Sequence, residues 1–440
     1  MLRIFTGRSR GFSPKYCHHR VYTRSAFESL GFSSKICERL EQHFGITHPT
    51  DAQSRFIPVI QSGHDVLLRD RTGTGKSFGL ALALASQIPT AKVPTTPRSL
   101  YVVPNQELSL QISHWIEQLS PCPTAVTNLS SSVNASRSAH TVVTTPGKAL
   151  ELVEQGHLTV DHLERIILDE ADQALRLPKR FATIRQHHRR SEHPKPSQIL
   201  IDRILANLSA RPQMIIASAT LNRPLRHWLR QRGWIQNPVF VDLNSGVSPV
   251  GHSSVTHHCL LLSNDEIRNI QPSKDTETDV SEDQHSVTGN TDITHDDERV
   301  LESIAILQDL ETVHNGILFL NTGASVSDMK RNLAKFNVDA RDIREFRPGV
   351  SHGTNPLWLA TEFTARGLDL PDVSHVFILG RPSSYASYVH MAGRTGRLGI
   401  QGFKHGKIIS LIPDAGKAEL AMFTMYKLLN IPVKKYEHVQ

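Results

Sequence analysis

The 440-residue sequence predicts an α/β protein with two domains, each a mainly parallel β-sheet with helices on both faces. Three observations support this: nine short runs of apolar and β-branched residues, segments of helical length between them, and a stretch rich in Gly, Ser and Pro at 244–251. Runs that are apolar throughout, without alternation, are typical of parallel strands buried on both faces. The break separates five runs from four, so we place the folded domains at 27–245 and 246–440.

The nine runs are candidate strands, and polar motifs follow several of them. In chain order they lie at 65–68, 99–103, 140–143, 165–168, 213–216, 316–320, 356–360, 375–379 and 407–412. In open parallel sheets, ligands bind beyond the carboxyl ends of the strands. We therefore expect the functional site along those edges.

Composition excludes several classes of protein. Apolar residues make up 39% of the chain and charged residues 21%, which is ordinary for a folded globular protein. No run approaches the roughly 18 apolar residues that cross a bilayer, so we expect no membrane insertion. The four cysteines form no C-x-x-C pair and the 24 histidines show no H-E-x-x-H spacing, which argues against a disulfide scaffold and a zinc site.

A glycine-rich loop follows the first candidate strand in the sequence RDRTGTGKS, Arg69–Ser77. Glycines permit a tight turn whose backbone N–H groups face phosphate oxygens, Lys76 can reach the β- and γ-phosphates, and the Ser77 hydroxyl can ligate Mg²⁺. The candidate nucleotide-binding residues of this loop are Thr72, Gly73, Thr74, Gly75, Lys76 and Ser77. The alternative, a Gly-rich turn without function, does not explain the Lys-Ser pair at the start of a helical segment.

Three acidic residues follow the strand at 165–168, at Asp169, Glu170 and Asp172. An acid at a strand end beside a phosphate loop can hold Mg²⁺ through water, and its neighbour can orient or deprotonate the attacking water. The alternative is an acidic helix start that favours the helix dipole. The phosphate loop favours the catalytic interpretation, with Ser77 and Asp169 at the metal and Glu170 at the water.

Leu168 to Asp172 reads LDEAD and resembles the signature of DEAD-box RNA helicases of superfamily 2, whose other motifs follow in order between about Phe27 and Arg397. The resemblance implies two tandem RecA-like domains that hydrolyse ATP with Mg²⁺ when RNA is bound, and a monomeric protein. Among members of the family, the chain is most similar to fungal mitochondrial ones. That implies structured ribosomal RNA and intermediates of large-subunit assembly as partners.

The resemblance also implies roles for individual residues. Phe27 and Gln53 would contact adenine, Gly367 and Asp369 the ribose, and the arginine fingers Arg394 and Arg397 the γ-phosphate. Coupling of the ATP site to domain closure would depend on Asp172, Ser218, Thr220 and His390. RNA contacts would come from Pro104, Gln106, Glu107, Thr145, Pro146, Gly147, Asn321, Thr322, Thr361 and Arg366.

Several residues depart from the family pattern. Asp70 stands where the phosphate loop usually has Gly or Ala, and a carboxylate there is unfavourable for phosphate unless it points away. Gln106 and Met391 replace arginines, Glu362 replaces Asp, and the segment between Thr322 and Thr361 is short and lacks the expected Q-x-x-R. Two alternatives therefore stay open: a catalytically weak RNA clamp or assembly scaffold, and a DNA-directed member of the superfamily.

The net charge of +7 is unevenly placed. Residues 1–26 contain six Lys or Arg and no acid, which predicts a mitochondrial presequence and a matrix location; the alternative is a disordered basic arm that touches RNA. The stretch 176–197 has seven Lys or Arg and is either an extra RNA contact or a solvated loop. The stretch 264–299 has eleven carboxylates and is predicted to be a disordered acidic insertion.

Overall fold

The fold is known from a computed structural model that describes most of the chain. The described residues are 26–71, 73–89, 96–120, 122, 126–129, 139–177, 182–244, 255–263, 266–271, 297–311, 313–321, 323–346, 356–362, 364–365, 370, 372–399, 402–415 and 417–439. Among these residues, no helix is both long enough and apolar enough to cross a membrane.

The first half of the chain forms one seven-stranded sheet within its described residues. Its strands are β1 (Val66–Arg69), β2 (Ser99–Val102), β3 (Val126–Asn128), β4 (Thr141–Thr144), β5 (Arg165–Leu168), β6 (Gln213–Ser218) and β7 (Val239–Asp242). The strand order is β3-β4-β2-β5-β6-β1-β7, and each neighbouring pair is parallel. Val66 of β1, for example, lies opposite Ile215 on one side and Val239 on the other.

Helices cover both faces of this sheet. They are α1 (Ser34–Phe44), α2 (Asp51–Gln61), α3 (Lys76–Ala85), α4 (Gln106–Leu119), α5 (Pro146–Glu154), α6 (Ala171–Leu175), α7 (Ile184–Glu192), α8 (Pro196–Asn207) and α9 (Arg223–Gln231), with a 3-10 turn at Glu28–Leu30. One face carries a core built with α1 to α4, and the other carries a core built with α5, α6, α8 and α9. The sheet therefore lies between two apolar layers, as the unalternating strands predict.

The second half forms a second seven-stranded sheet and a small hairpin. Its strands are β8 (Val255–Leu262), β9 (Ile267–Asn269), β10 (Ile317–Leu320), β11 (Ala340–Asp342), β12 (Leu357–Thr361), β13 (His375–Leu379), β14 (Leu398–Gly399), β15 (Gly402–Phe403) and β16 (Gly406–Pro413). The order is β11-β12-β10-β13-β16-β8-β9, parallel except at the β8–β9 edge, and β14 pairs with β15. The helices are α10 (Glu298–Leu310), α11 (Val326–Ala334), α12 (Tyr385–Ala392) and α13 (Ala418–Leu428), with a 3-10 turn at Ile343–Glu345.

The predicted fold class, two tandem RecA-like α/β domains, is confirmed by these two sheets. All nine candidate strands are present, with ends that differ from the prediction by at most two residues. The two sheets lie on either side of 245–254, which is outside the described residues, so the domain boundaries stay a prediction.

Several elements were missed because their sequence signal is weak. β3, β9 and β11 have three residues each and lie at or near sheet edges, too short for a pattern. β8 contains His257 and His258, which look polar in sequence but are buried. Burial lowers the pKa of His257 to about 3, so the ring enters the core neutral, with Nδ1 2.7 Å from the Tyr388 hydroxyl.

Two predicted loops are wrong in part. The stretch 264–299 contains β9 and the start of α10, whose N-cap Asp297 accepts a hydrogen bond from the Arg299 N–H; residues 272–296 lie outside the described residues. The basic stretch 176–197 contains α7, which begins with a capping box between Thr183 and Gln186. Charge-rich composition hid both helix starts, because capping residues are polar too.

Candidate functional site

The candidate site lies at the carboxyl ends of β1, β5 and β6, which are neighbours in the first sheet. The loop after β1 carries the glycines, β5 ends at the acidic motif, and β6 ends at Ser218. The α12 segment of the second half packs against this edge, because His390 Nε2 is 3.6 Å from Asp172 Oδ2. The site therefore has contributions from both sheets.

The loop between β1 and α3 has the geometry of a phosphate cradle. Gly73 (φ 79°) and Gly75 (φ 82°) both adopt the left-handed conformation that favours glycine, and α3 begins directly at Lys76. Lys76 is 5% exposed. Burial alone would lower its pKa, but the charges of Glu170, Asp169 and Asp70 raise it, so the lysine stays charged. Thr72 lies outside the described residues.

Asp70 does not face the space above the loop. One of its carboxylate oxygens accepts a hydrogen bond from the Arg71 N–H (2.7 Å) and the other accepts from the Thr74 hydroxyl (2.6 Å). The side chain is 2% exposed, so the charge lies inside the base of the loop. The carboxylate that the sequence suggests would repel phosphate instead ties the two ends of the loop together.

Asp169 and Ser77 meet at the start of α3. The Ser77 hydroxyl donates to Asp169 Oδ2 at 2.6 Å, and the Tyr101 hydroxyl donates to the same oxygen at 3.1 Å. Burial raises the pKa of Asp169, and the neighbouring Lys76 charge opposes that rise. Hydroxyl and carboxylate oxygens in contact beside a buried lysine are the donor set that Mg²⁺ prefers with a phosphate ligand, so these residues fit the metal.

Glu170 adopts a strained backbone at the turn after β5. Its φ of 50° and ψ of 48° lie in the left-handed region, which is unusual for a non-glycine residue and common at functional sites. Its Oε2 atom is buried, lies 3.7 Å from His390 Nε2 and accepts no hydrogen bond within the described part of the chain. A buried acceptor that lacks a hydrogen bond is suited to orient a water molecule.

Asp172, Ser218, Thr220 and His390 form one network between the two halves. The Thr220 hydroxyl donates to Asp172 Oδ2, and the Thr220 N–H donates to the Ser218 hydroxyl at 3.1 Å. Burial would raise the pKa of Asp172, but the contacts with His390 and Thr220 outweigh it and hold that pKa below its usual range. One side-chain atom each of Glu170, Asp172 and His390, of the kinds that can bind a metal ion, lie within 4.8 Å of one another. This closeness follows from the contacts of His390 Nε2 with the Glu170 and Asp172 carboxylates, at 3.7 and 3.6 Å.

The two candidate arginine fingers differ in position. The Arg397 side chain lies over the phosphate loop, where a Cβ on Gly73 would be 3.3 Å from its Cγ. Arg394 Nε donates to the His390 carbonyl at 3.2 Å, one turn back on its own helix end. Arg397 therefore faces the loop, and Arg394 follows the histidine that contacts the acidic motif.

The candidate adenine contacts lie beside the phosphate loop. Gln53 caps α2 in a box with Thr50, and its Nε2 donates to the Gly75 carbonyl at 3.2 Å. Phe27 is 1% exposed and packs edge-on against Phe32 in the first core. Gly367 and Asp369 lie outside the described residues.

The candidate RNA contacts occupy strand ends on the other side of β5. Pro104 follows β2, and Thr145 follows β4 and precedes α5, so the two segments adjoin each other. Gln106, Glu107 and Gly147 are exposed at the first turns of α4 and α5, and Pro146 is half-buried. Thr322 and Arg366 lie outside the described residues.

In the second sheet, Asn321 directly follows β10, and Thr361 ends the neighbouring strand β12. Asn321 borders a cleft of about 120 Å³ that Glu362 and Met391, two of the departures from the family pattern, also line. Gly380, with φ 75°, has no room for a side chain because the Asn321 amide group occupies the space that its Cβ would need. The glycine therefore lets β13 end against this asparagine.

Comparison with known sequences decides the family. Residues 50–228 match the DEAD/DEAH box helicase family, and residues 299–399 match the helicase conserved C-terminal domain. The chain is a DEAD-box helicase of superfamily 2. The first match lies in the half of the chain that forms the first sheet and the second match in the half that forms the second sheet, and together they cover most of the chain.

Individual proteins resemble this DEAD-box chain along most of its length. The ATP-dependent rRNA helicase rrp3 of Emericella nidulans is 26% identical over 396 residues, 88% of this chain and 74% of that protein. The ATP-dependent RNA helicase DbpA of Bacillus subtilis is 26% identical over 432 residues, 94% and 76%. The structure of S. cerevisiae Dbp5 bound to RNA and ADP BeF3 shares the fold with a TM-score of 0.69 at 17% identity, covering 93% of this chain and 95% of that one.

Sequence motifs missed some residues of this DEAD-box site. Tyr101 hydrogen bonds Asp169 from inside strand β2, where an apolar run gives no hint of a polar contact. Ala219 of the Ser-Ala-Thr turn packs into the core of the second sheet. A small apolar residue between the polar residues Ser218 and Thr220 was the sequence feature from which the burial of Ala219 could have been predicted.

Proposed function

We propose that this protein is an RNA-dependent ATPase that remodels or unwinds RNA by closing its two domains over ATP and a single RNA strand. The observation that supports this most is the contact of His390 and Arg397, from the second half, with Asp172 and the phosphate loop of the first. A site completed by a second domain acts only when the domains meet. RNA that binds both domains favours closure, and ATP hydrolysis then depends on RNA because it requires the closed arrangement.

In this proposal the chain's own groups position the reaction. The loop N–H groups and Lys76 hold the phosphates, and Ser77 with Asp169 would hold Mg²⁺, which when bound neutralises charge on the phosphate oxygens. Glu170 orients the attacking water and accepts its proton. Arg397 and Arg394 neutralise charge that develops on the γ-phosphate, which favours the transition state over the ground state.

Binding of RNA through its backbone follows from the type of the candidate contacts. Hydroxyls, backbone N–H groups and single charges grip phosphates and 2′-hydroxyls without reading bases. Bending the gripped strand on closure would separate a short duplex, and hydrolysis would release the strand.

For the cellular setting we propose ribosomal RNA in mitochondrial large-subunit assembly. The acid-free composition of 1–26 supports import, and the relative rrp3 carries the name of an rRNA helicase. A fusion of residues 1–26 to a fluorescent reporter should enter mitochondria, whereas the same peptide with its six basic residues changed to Gln should stay outside. Cytosolic retention of the unaltered fusion would remove the import proposal.

The deciding experiment measures ATP hydrolysis by the full chain with RNA, with single-stranded DNA and without nucleic acid. We expect stimulation by RNA alone, and a loss of at least about a hundredfold in Glu170→Gln with ATP binding retained, because one oriented group contributes on that scale. Glu154→Gln, an exposed carboxylate paired with Arg203, is the matched control. Equal stimulation by DNA would favour a DNA-directed enzyme.

The second candidate function is an RNA clamp or assembly scaffold with little turnover. Met391 and the short segment between Thr322 and Thr361 favour it, because both depart from the family pattern in the half that completes the ATP site. Asp70 does not add to this, because its carboxylate is hydrogen bonded within the base of the loop. The clamp predicts that wild type and Glu170→Gln hydrolyse ATP equally slowly with RNA present, while both bind RNA. The same assay therefore separates the two functions.

A further inference from the structure

An excess of positive charge concentrates in one region of the first half. Residues 182–244 hold ten lysines and arginines and three acidic residues, an excess of seven that equals the net charge of the whole chain, +7. The ATP site uses none of these ten. Several of these ten residues lie on helices α7 and α9.

Helix α9 carries arginines along one side. Arg223, Arg226 and Arg230 are spaced by three and four residues, which aligns them on one helix face. Leu225 and Leu229, on the opposite side, are buried in the core under the sheet. Arg223 and Arg230 are exposed, and no acidic side chain of the described residues forms an ion pair with either.

Aromatic rings support the guanidinium groups at the edges of this stripe. The Arg226 guanidinium lies 4.2 Å from the Phe240 ring centroid, and that of Arg232 lies 5.4 Å from the Trp228 ring. Arg226 Nε is buried and has no hydrogen-bond acceptor within the described residues. Stacking holds a guanidinium in a fixed orientation without neutralising its charge.

Helix α7 carries further arginines. Its Arg185 and Arg189 are exposed, and its Arg190 donates to the Leu175 carbonyl at 2.6 Å, which ties the helix to the end of α6. These residues are not part of the α9 stripe. We call the aligned α9 residues Arg223, Arg226 and Arg230 the arginine face.

The arginine face is separate from the candidate RNA contacts. Helix α9 connects β6 to β7, whereas Pro104 and Thr145 follow β2 and β4. In the sheet, β5 with the acidic motif lies between these two groups of strands. A nucleic acid that touches both surfaces must extend beyond the strand gripped at the motifs.

We propose that the arginine face binds the phosphate backbone of a duplex RNA segment that adjoins the single strand held by the helicase motifs. This rests on the proposed RNA-dependent function. Arginine forks match phosphate oxygens, and several positive charges on one helix face favour a polyanion such as the RNA backbone. Among the described residues, none of the exposed large apolar side chains lies on α9, so the face lacks the apolar anchors that a protein partner needs.

The test compares two RNAs with the full-length protein and a non-hydrolysable ATP analogue. One is a ten-nucleotide single strand, and the other is the same strand joined to a hairpin. In Arg223→Gln/Arg226→Gln/Arg230→Gln we expect affinity for the hairpin RNA to fall ~tenfold and the slope of log K against log salt to fall by about 3, since each of the three lost phosphate contacts removes about 0.9. Affinity for the short strand should stay within about twofold of wild type.

The control variant is Arg331→Gln/Arg344→Gln, which removes two arginines of the second half that pair with Asp328 and Asp342. It should bind both RNAs like wild type. Equal losses on both RNAs in the triple variant would mean a general field effect, and no loss on the hairpin would mean an unused surface; either overturns the proposal. Failure of the proposed function is distinct, because wild type itself would then neither bind the short strand nor hydrolyse ATP.

Discussion

The two sheets of this protein share a strand order but differ at their carboxyl ends. From one edge, the first runs β3-β4-β2-β5-β6-β1 and the second β11-β12-β10-β13-β16-β8, so strands at corresponding positions come in the same relative chain order. They differ at the seventh strand: β7 is parallel and follows α9, whereas β9 folds back antiparallel on β8. One scaffold is therefore used twice.

The segments after the first strand of each sheet differ in chemistry. After β1, six residues form the glycine loop before Lys76 starts α3. After β8, the chain passes through β9 and a stretch of acidic composition before α10 starts at Glu298. Carboxylates repel phosphate, so the difference in composition favours the first sheet for the candidate phosphate site. Function resides in strand-end residues and not in the fold.

The largest expected effect tests this asymmetry directly. Lys76→Met should lower ATP hydrolysis by about two to three orders of magnitude, because it removes the charge that faces the phosphates. Lys407→Met in the second sheet breaks a 2.6 Å ion pair with Glu311 and should lower thermal stability while turnover per folded molecule stays unchanged. Hydrolysis rates and melting curves of both variants check this, and a comparable loss of turnover in Lys407→Met would break the comparison.

The next effect concerns what the second sheet supplies. His390→Ala should reduce RNA-stimulated hydrolysis ~10- to 100-fold with nucleotide affinity of the first half retained, since His390 contacts Asp172 across the interface. Thr220→Val removes the hydroxyl that donates to the same carboxylate oxygen. If the network couples the halves, the double variant should lose less than the product of the single losses. Multiplicative losses would mean independent roles.

The fold was largely predictable because continuous apolar runs report buried parallel strands. β13 was predicted to the residue, at His375–Leu379. Buried histidines and three-residue edge strands escaped, since their environment comes from tertiary packing that local composition does not contain.

The site was predictable as a set of motifs and not as contacts. The order of motifs placed Lys76, Asp169 and His390, but spacing alone does not reveal that the Thr220 hydroxyl donates to Asp172. Asp70 shows the limit best: its identity suggested repulsion of phosphate, and only its hydrogen bonds to Arg71 and Thr74 show where the charge points.

A smaller effect concerns Asp70. Asp70→Ala should raise KM for ATP several-fold with a smaller change in kcat, because the loop loses the tie between its base and Thr74 and must order on binding. Thr74→Val should raise KM similarly, and Thr74→Ser, which keeps the hydroxyl, should not. A lower KM in Asp70→Ala would instead mean that the charge repels phosphate.

The smallest effect is a pH dependence that belongs to the second sheet. Burial lowers the pKa of His257 to about 3, from the ordinary histidine value of 6.5, so between these pH values the unfolded chain binds a proton that the folded chain excludes. Stability of the second half should therefore fall as pH drops from about 6.5 toward 3, by up to about 1.4 kcal/mol per pH unit.

His257→Asn keeps an acceptor near the Tyr388 hydroxyl and cannot be protonated, so its denaturant midpoint should vary less with pH over that window. His188→Asn, exposed on α7, is the matched control and should follow wild type. An unchanged pH slope in His257→Asn would assign the acid sensitivity to other buried histidines, such as His375, whose pKa burial also lowers. The first half has its own apolar core, separate from the core of the second sheet. The pH dependence of unfolding can therefore be measured for each half, and we expect the His257 effect in the second half.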